Sequence, residues 1–283
     1  MVRPFGIKGK KRKKREERYD REGEGEEQIE SVKRVAVEKA MDAEDNGDKV
    51  EEEGQAGEHV LEGIPIAPSD QKTNKPDVVF VLERACLEVA KIGKIYQILN
   101  SEDHANFLRK NNKNPADYRP DIIHQALLSI LDSPVNKAGR LRAVYVRTEK
   151  GVLFEVKPHV RIPRTYKRFA GIMLQLLQKL SITAVGKREK LLRVIKNPVT
   201  QYLPLNSRRI GLSFSSEKLV KMKDYVKAIG DDMNLVFVVG AMAHGKVETD
   251  YTDDFIAISG YPLSAARCIA RICEAVEDKW NIL

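Results

Sequence analysis

Hydrophobic and polar positions follow two kinds of pattern over residues 76–283. Short apolar runs rich in β-branched residues, such as DVVFVLE at 77–83 and LVFVVG at 235–240, are typical of buried strands. Between such runs, apolar residues recur every three or four positions, as at 120–132, and this spacing is typical of a helix with one buried face. Strands that alternate with helices predict an α/β fold with a mainly parallel sheet and flanking helices.

The same patterns place the individual elements. We predict strands at 77–83, 141–147, 152–156, 208–214 and 235–240. We predict helices at 101–110, 120–132, 165–180, 217–228 and 263–280. Ser101 is expected to cap the first of these helices, and Pro120 suits the first position of the second. The polar segment 148–151 joins two β-rich runs, which predicts an inserted β-hairpin.

The first 75 residues differ in composition from the rest. Residues 1–15 carry eight Lys and Arg and no acid, whereas residues 16–63 carry eighteen acidic and six basic residues, with no aromatic residue after Tyr19. Such segments bury too little apolar surface to offset the entropy of ordering, so we predict a disordered tail over 1–75 and one folded domain over 76–283. The basic cluster KGKKRKKR at 8–15 suits a nuclear import signal, a non-specific RNA-binding arm or a solvated tail equally.

Charge and cysteine content narrow the class of protein. The chain has a net charge of +8, and the predicted domain alone carries +11, which favours a nucleic-acid partner over a cationic metabolic enzyme. No run approaches 18 apolar residues, and no apolar segment follows the charged start, so we expect neither a membrane span nor a signal peptide. Cys86, Cys268 and Cys273 form no C-x-x-C pair, which predicts reduced thiols in an intracellular protein and no zinc site.

The segment LVFVVGAMAHGK at 235–246 is an apolar strand that runs directly into a glycine-bearing loop. Gly240, Gly245 and Lys246 satisfy most of a Walker A pattern. Val247, however, stands where that pattern requires the Ser or Thr that binds magnesium, so we exclude a nucleotide triphosphatase. The remaining interpretations are a strand end at which glycines let a ligand approach the backbone, and two glycines needed only for tight turns.

A second loop, ISGYPLS at 258–264, precedes the last helix. Gly260 permits a close approach to the backbone, and Pro262 fixes one turn of the loop. Backbone polar groups between apolar walls suit a neutral heteroaromatic group such as adenine. A loop that merely starts a helix is the alternative.

Two cationic groups complete the candidate site. Arg161, Arg164 and Arg168 lie in VRIPRTYKRF, where their guanidinium groups suit phosphates and unpaired bases, or else form a solvated helix end. Arg119 and Asp121 open the predicted helix at 120–132, where an aspartate also serves as a simple cap. Three histidines lie in or near these motifs, and we interpret them as structural residues and not as general bases. They are His124, His159 and His244.

Several of these blocks, taken together, resemble one protein family. LVFVVGAMAHGKV, ISGYPLSAA, LSFS, RPDIIHQALLSILDSPVNKAG and VRIPRTYKRF are similar, in order and spacing, to the eukaryotic ribosomal small-subunit pseudouridine N1-methyltransferases. The resemblance extends from about residue 77 to residue 283. It implies a SPOUT-class fold with a deep trefoil knot that binds S-adenosylmethionine, and a homodimer with RNA lying across both subunits.

The resemblance also implies roles for individual residues. Those expected to bind the cofactor are Leu212, Gly240, Gly245, Ile258, Ser259, Gly260, Tyr261, Pro262 and Leu263. Those expected to contact RNA are Arg119, Arg161, Arg164 and Arg168, with Asp121 orienting Arg119 by an ion pair. Arg119 and Asp121 are thus the expected catalytic residues, and whether Asp121 also accepts the N1 proton is left open.

The implied function is methylation of N1 of a pseudouridine in small-subunit (18S) rRNA, without a metal. The partners expected are small-subunit rRNA and pre-ribosomal assembly factors, in the nucleus and nucleolus. Two alternatives remain: a non-catalytic assembly factor with the same fold, and a related methyltransferase that acts on tRNA. Intact cofactor loops favour a catalytic protein over a non-catalytic assembly factor. The sequence blocks around Arg119 and Arg161 argue against a tRNA methyltransferase.

Overall fold

The computed structural model describes residues 75–184, 188–247 and 250–283, so the predicted tail lies outside the described residues except for Lys75. The strands are β1 Val78–Ala85, β2 Val89–Ile92, β3 Ile95–Ile98, β4 Leu141–Thr148, β5 Leu153–Val156, β6 Ser181–Thr183, β7 Lys190–Ile195, β8 Ser207–Leu212, β9 Asn234–Gly240 and β10 Asp254–Ile256. The helices are α1 Ala105–Lys110, α2 Pro120–Leu131, α3 Pro134–Lys137, α4 Tyr166–Lys179, α5 Met222–Lys227 and α6 Ala265–Trp280. Short 3-10 turns lie at Pro115–Asp117 and Val199–Tyr202.

Eight of these strands form one sheet in the order β10-β8-β9-β1-β4-β5-β7-β6. The pairs from β10 to β4 are parallel, and the pairs from β4 to β6 are antiparallel. The predicted α/β class with a large parallel region is therefore confirmed, and β4 and β5 form the predicted hairpin. The knot implied by the resemblance stays a prediction.

The central strands are apolar on both faces because both faces are covered. On one face, Phe80 and Leu82 of β1 belong to one large apolar cluster with residues of α2 and α6, among them Ile123. On the other face, Val79 and Val81 pack in a smaller cluster beneath the 3-10 turn at Val199–Tyr202. A parallel strand buried on both sides is held firmly, so the loops at its carboxyl end have a rigid base.

Two predicted helices begin later than their sequence pattern indicates. The first begins at Ala105, with His104 and not Ser101 at the N-cap, because Asp103 N–H donates to Asn100 Oδ1 (2.7 Å) in a preceding turn. The helix predicted at 217–228 begins at Met222. Residues 218–220 instead exchange backbone hydrogen bonds with Ala257, each 2.9 Å long.

Several short elements were not predicted. The hairpin β2–β3 turns at Gly93, whose φ of +63° suits glycine, and it presents Ile95 and Tyr96 to solvent. Strands β6 and β7 pair only at the antiparallel side of the sheet. Their existence depends on neighbours supplied by distant segments, which a local pattern does not report. Within the described residues, no helix combines the length and apolar character that crossing a bilayer requires.

Candidate active site

The carboxyl ends of three parallel strands bring the predicted cofactor-binding segments together. Leu212, the last residue of β8, pairs with Val239 of β9 on one side and with Ile256 of β10 on the other. Gly240 pairs in turn with Glu83 of β1. The loops after β8, β9 and β10 therefore leave the same edge of the sheet, where open α/β folds bind ligands.

The loop after β10 is fixed at both ends. Ser213 N–H donates to Ile256 O (3.1 Å), and Arg271 of α6 donates to Ile258 O (3.0 Å). Tyr261 N–H donates to Ser259 Oγ (3.1 Å), and Ser264 caps α6. The loop is thus held to the sheet on one side and to α6 on the other.

Gly260 differs from the other two predicted cofactor-binding glycines. A Cβ added at Gly260 would meet no atom within 4 Å, so open space adjoins its backbone. A Cβ at Gly240 would lie 2.7 Å from Met242 Sδ and 2.8 Å from Val247 Cγ2. Gly245 has a φ of +107°, which favours glycine. Packing and backbone conformation therefore require glycine at 240 and 245 even without a ligand, whereas open space adjoins Gly260.

The segments around Gly260 carry apolar side chains. Leu212 is buried, and Ile258 and Leu263 are half-buried. Tyr261 is 78% exposed. Apolar side chains together with backbone polar groups are typical of sites for neutral heteroaromatic groups.

Arg119 and Asp121 form a two-pronged ion pair at the start of α2. Arg119 Nε donates to Asp121 Oδ1 (2.8 Å), and Nη2 donates to Oδ2 (2.7 Å). These hydrogen bonds from Arg119 hold the pKa of Asp121 below its ordinary value and raise the pKa of Arg119. Both groups are therefore charged at neutral pH, and the carboxylate fixes the direction of the guanidinium group.

The three arginines of the 161–168 segment, which are among those predicted to contact RNA, are all exposed. Arg164 has an exposed fraction of 81% and reaches Asp132 at 3.4 Å, a long and weak contact. Arg161 and Arg168 form no ion pair with any described residue. All three guanidinium groups are therefore available to a polyanion.

His124 joins the two cationic groups. Its Nε2 lies 2.7 Å from the carbonyl oxygen of Pro163, and its ring stacks on Phe169 with the centroids 4.5 Å apart. Because these contacts connect α2 to the start of α4, Arg119 and the arginines of the 161–168 segment belong to one region. The predicted structural role suits this histidine, while His159 Nε2 lies 3.0 Å from Glu189 and His244 is exposed in the loop after β9.

A cavity of about 420 Å³ connects the glycine loop to the segment that leads into Arg119. Met242, Ala243 and His244 line one side of the cavity. Asp117 and Tyr118, which immediately precede Arg119, line another. Residues 258–263 do not line it, so the cavity adjoins the predicted cofactor-binding segments only through the loop after β9.

Sequence reasoning missed the charged groups that line this cavity. Although burial favours its neutral form, Glu88 has a lowered pKa, because Lys113 and Tyr118 donate hydrogen bonds to its carboxylate. Arg84 and Glu149 form a second ion pair. These residues lie in separate segments of the chain, so no local sequence motif indicates that they come together.

The three cysteine thiols are protonated at neutral pH. Burial raises the pKa of Cys86 to about 11 and the pKa values of Cys268 and Cys273 to about 12, so these thiols are neutral at pH 7. None of the three forms a disulfide with a described residue. Among the residues described, no group of three or more His, Cys, Asp or Glu side chains is arranged to hold a metal ion.

Comparison with known proteins identifies the family. The model of the EMG1/NEP1 methyltransferase family matches residues 80–277. The chain is 48% identical over 226 residues to the ribosomal RNA small subunit methyltransferase nep-1 of Caenorhabditis elegans, covering 77% of this chain and 97% of that protein. It is 47% identical over 206 residues to the human ribosomal RNA small subunit methyltransferase NEP1, covering 73% and 83%.

A solved structure shares the fold. The crystal structure of Archaeoglobus fulgidus Nep1 bound to S-adenosylhomocysteine matches with a TM-score of 0.58 and 22% identity, covering 72% of this chain and 99% of that one. Since the family match spans most of the part of the chain that the structure describes, the resemblance inferred from the sequence motifs is confirmed. The chain belongs to the EMG1/NEP1 methyltransferase family.

Proposed function

We propose that this protein transfers a methyl group from S-adenosylmethionine to N1 of a pseudouridine in small-subunit rRNA. The names of its relatives support a small-subunit rRNA substrate. One observation carries the proposal: the glycine loop after β9 and the segment that ends at the Arg119–Asp121 pair line the same cavity. The reaction requires a methyl donor near a cation aimed by a carboxylate, and we assign the donor to the side of the glycine loop and the cation to Arg119, which follows Tyr118 of the cavity lining.

The cofactor pocket is assigned to the loops at the carboxyl edge of the sheet. The residues that would hold S-adenosylmethionine are Leu212, Gly240, Gly245, Ile258, Ser259, Gly260, Tyr261, Pro262 and Leu263. When bound, the cofactor supplies a methyl group already activated by the sulfonium charge. The protein therefore needs mainly to hold that group in line with N1 and to exclude water.

Arg119 and Asp121 act on the substrate side. The N1 proton would pass to solvent water, and Arg119 stabilises the negative charge that develops on the ring as it leaves. Asp121 is a poor base, because its pKa is lowered and both carboxylate oxygens already accept hydrogen bonds from Arg119. Its role is to orient Arg119.

The RNA lies across the exposed arginines at the starts of α2 and α4. We propose that Arg161, Arg164 and Arg168 contact phosphates or stacked bases of an unpaired loop. The protein acts as a homodimer with RNA across both subunits, together with pre-ribosomal assembly factors, in the nucleus and nucleolus. We assign the catalytic domain to residues 76–283 and nuclear import to the basic segment 8–15, which lies outside the described residues.

Methylation of defined RNAs tests the function. Purified protein with S-adenosylmethionine is expected to add 14 mass units, one CH₂, to a small-subunit rRNA hairpin that contains pseudouridine, and none to the same hairpin with uridine. Mass spectrometry of the digested RNA measures the product. Tight binding of the hairpin without methylation would instead support the non-catalytic assembly factor, and preferential methylation of tRNA would support the third alternative.

Replacing any one of Arg161, Arg164 or Arg168 with Ala is expected to weaken binding of that hairpin by about 1–3 kcal/mol and to flatten its salt dependence. Fewer phosphates are then neutralised, so fewer counterions are released. Filter binding at several salt concentrations measures both effects. Lys227→Ala on α5 removes an exposed charge outside the patch and serves as the control. Normal RNA binding by all three variants would contradict the assignment.

A further inference from the structure

Arg84 lies at an irregularity near the end of β1. Leu82 pairs with Val146 of β4, and the next pair joins Ala85 to Thr148, so β1 carries one more residue than β4 across this interval. Arg84 has a φ of +58°, in the left-handed region that residues other than glycine seldom adopt. Bulges of this kind redirect a side chain and are frequent beside active sites.

The redirected guanidinium group connects two loops. Arg84 Nε and Nη2 donate to the carboxylate of Glu149, at 2.9 and 3.1 Å. Arg84 Nη1 donates to the backbone carbonyl of Lys246, at 3.1 Å. One side chain therefore ties the turn after β4 to the end of the glycine loop after β9.

The glycine loop is shaped to receive this side chain. A Cβ added at Gly245 would lie 2.8 Å from Arg84 Nη1, so the guanidinium group occupies the space that any other residue at 245 would fill. The start of the loop is also held on β1, because Ala241 N–H donates to Glu83 O (2.8 Å). Both ends of the loop thus rest on consecutive residues of β1.

We propose that Arg84 is a positioning residue for the methyl-transfer site. It holds the 240–246 loop in the conformation that binds the cofactor, and Glu149 holds Arg84 in place. This inference rests on the proposed function, which assigns Gly240 and Gly245 of that loop to S-adenosylmethionine. Arg84 acts through the loop and is not itself placed against the reacting atoms.

Titration calorimetry with S-adenosylhomocysteine on the full chain tests the proposal. Arg84→Ala is expected to weaken binding about tenfold, the effect of losing a charge-assisted hydrogen bond to the loop. Arg84→Lys should fall between the wild type and Arg84→Ala, because one ammonium group does not span both Glu149 and the Lys246 carbonyl. Glu149→Gln should weaken binding severalfold with Arg84 still present. Arg142→Ala, which removes an exposed charge at the opposite end of β4, is the matched control.

Further readouts separate positioning from a general structural role and from RNA contact. The KM for S-adenosylmethionine should rise more than kcat falls, the affinity for the rRNA hairpin should stay within about twofold, and the melting temperature should match that of Arg142→Ala. If Arg84→Ala does not fold, the affinity of Glu149→Gln for S-adenosylhomocysteine becomes the decisive measurement, because that variant keeps Arg84 at the bulge. Wild-type affinity in the decisive variant would overturn the inference, whereas a wild-type protein that does not bind S-adenosylhomocysteine would overturn the proposed function instead.

Discussion

Gly260→Val is expected to weaken binding of S-adenosylhomocysteine by roughly a hundredfold while leaving the melting temperature unchanged. The added side chain meets no atom of the protein within 4 Å at its Cβ, and the backbone at Gly260 lies outside the left-handed region. The free protein therefore tolerates the change. A cofactor seated against Gly260 would lose the space that it needs.

Titration calorimetry and thermal melting measure the two quantities. Gly240→Val is a poorer test, because its side chain would clash with Val247, which is buried in the protein's own core. Gly171→Ala in α4 is the control, since a Cβ there also meets nothing within 4 Å. Unchanged affinity in Gly260→Val would remove the 258–263 loop from the cofactor pocket.

Asp121→Asn is expected to slow single-turnover methylation of the pseudouridine hairpin by about a hundredfold, with RNA affinity changed only severalfold. The amide keeps the size of the carboxylate but loses its charge, and it offers Arg119 one acceptor in place of two. Arg119 then loses its fixed direction. Binding depends on several arginines, whereas the chemical step depends on this one.

The pH profile gives a second measure of the same pair. Because the pKa of Asp121 lies below its ordinary value, the carboxylate stays charged throughout the neutral range, and the wild-type rate should show no loss from Asp121 protonation between pH 8 and about pH 5. Asp278→Asn, on the exposed face of α6, removes a carboxylate of another ion pair and serves as the control. A wild-type rate in Asp121→Asn would show that the pair does not act in catalysis.

The pattern of apolar and polar residues predicted correctly those elements whose burial is uniform along their length. The continuous apolar runs of β1 and β9 indicated strands buried on both faces, and both lie at the centre of the sheet. Pro120 occupies the first position of α2 as expected. The assignment of individual cofactor-binding and RNA-contacting residues depended on resemblance to a family, since spacing alone left simple turns and a solvated helix end as alternatives.

The sequence by itself thus determined the fold class, the family and the exposed arginines, because apolar periodicity, motif order and charge are all written along the chain. Only the tertiary structure decided that residues 218–220 pair with Ala257 and do not begin a helix. Only the tertiary structure places the glycine loop and the segment before Arg119 around one cavity. It also shows that the bulge in β1 directs Arg84 to the backbone carbonyl of Lys246. The physical reason is that strand pairing and hydrogen bonds join segments that lie more than a hundred residues apart in sequence. A local sequence pattern indicates whether a segment is buried, but it does not indicate which segment pairs with it.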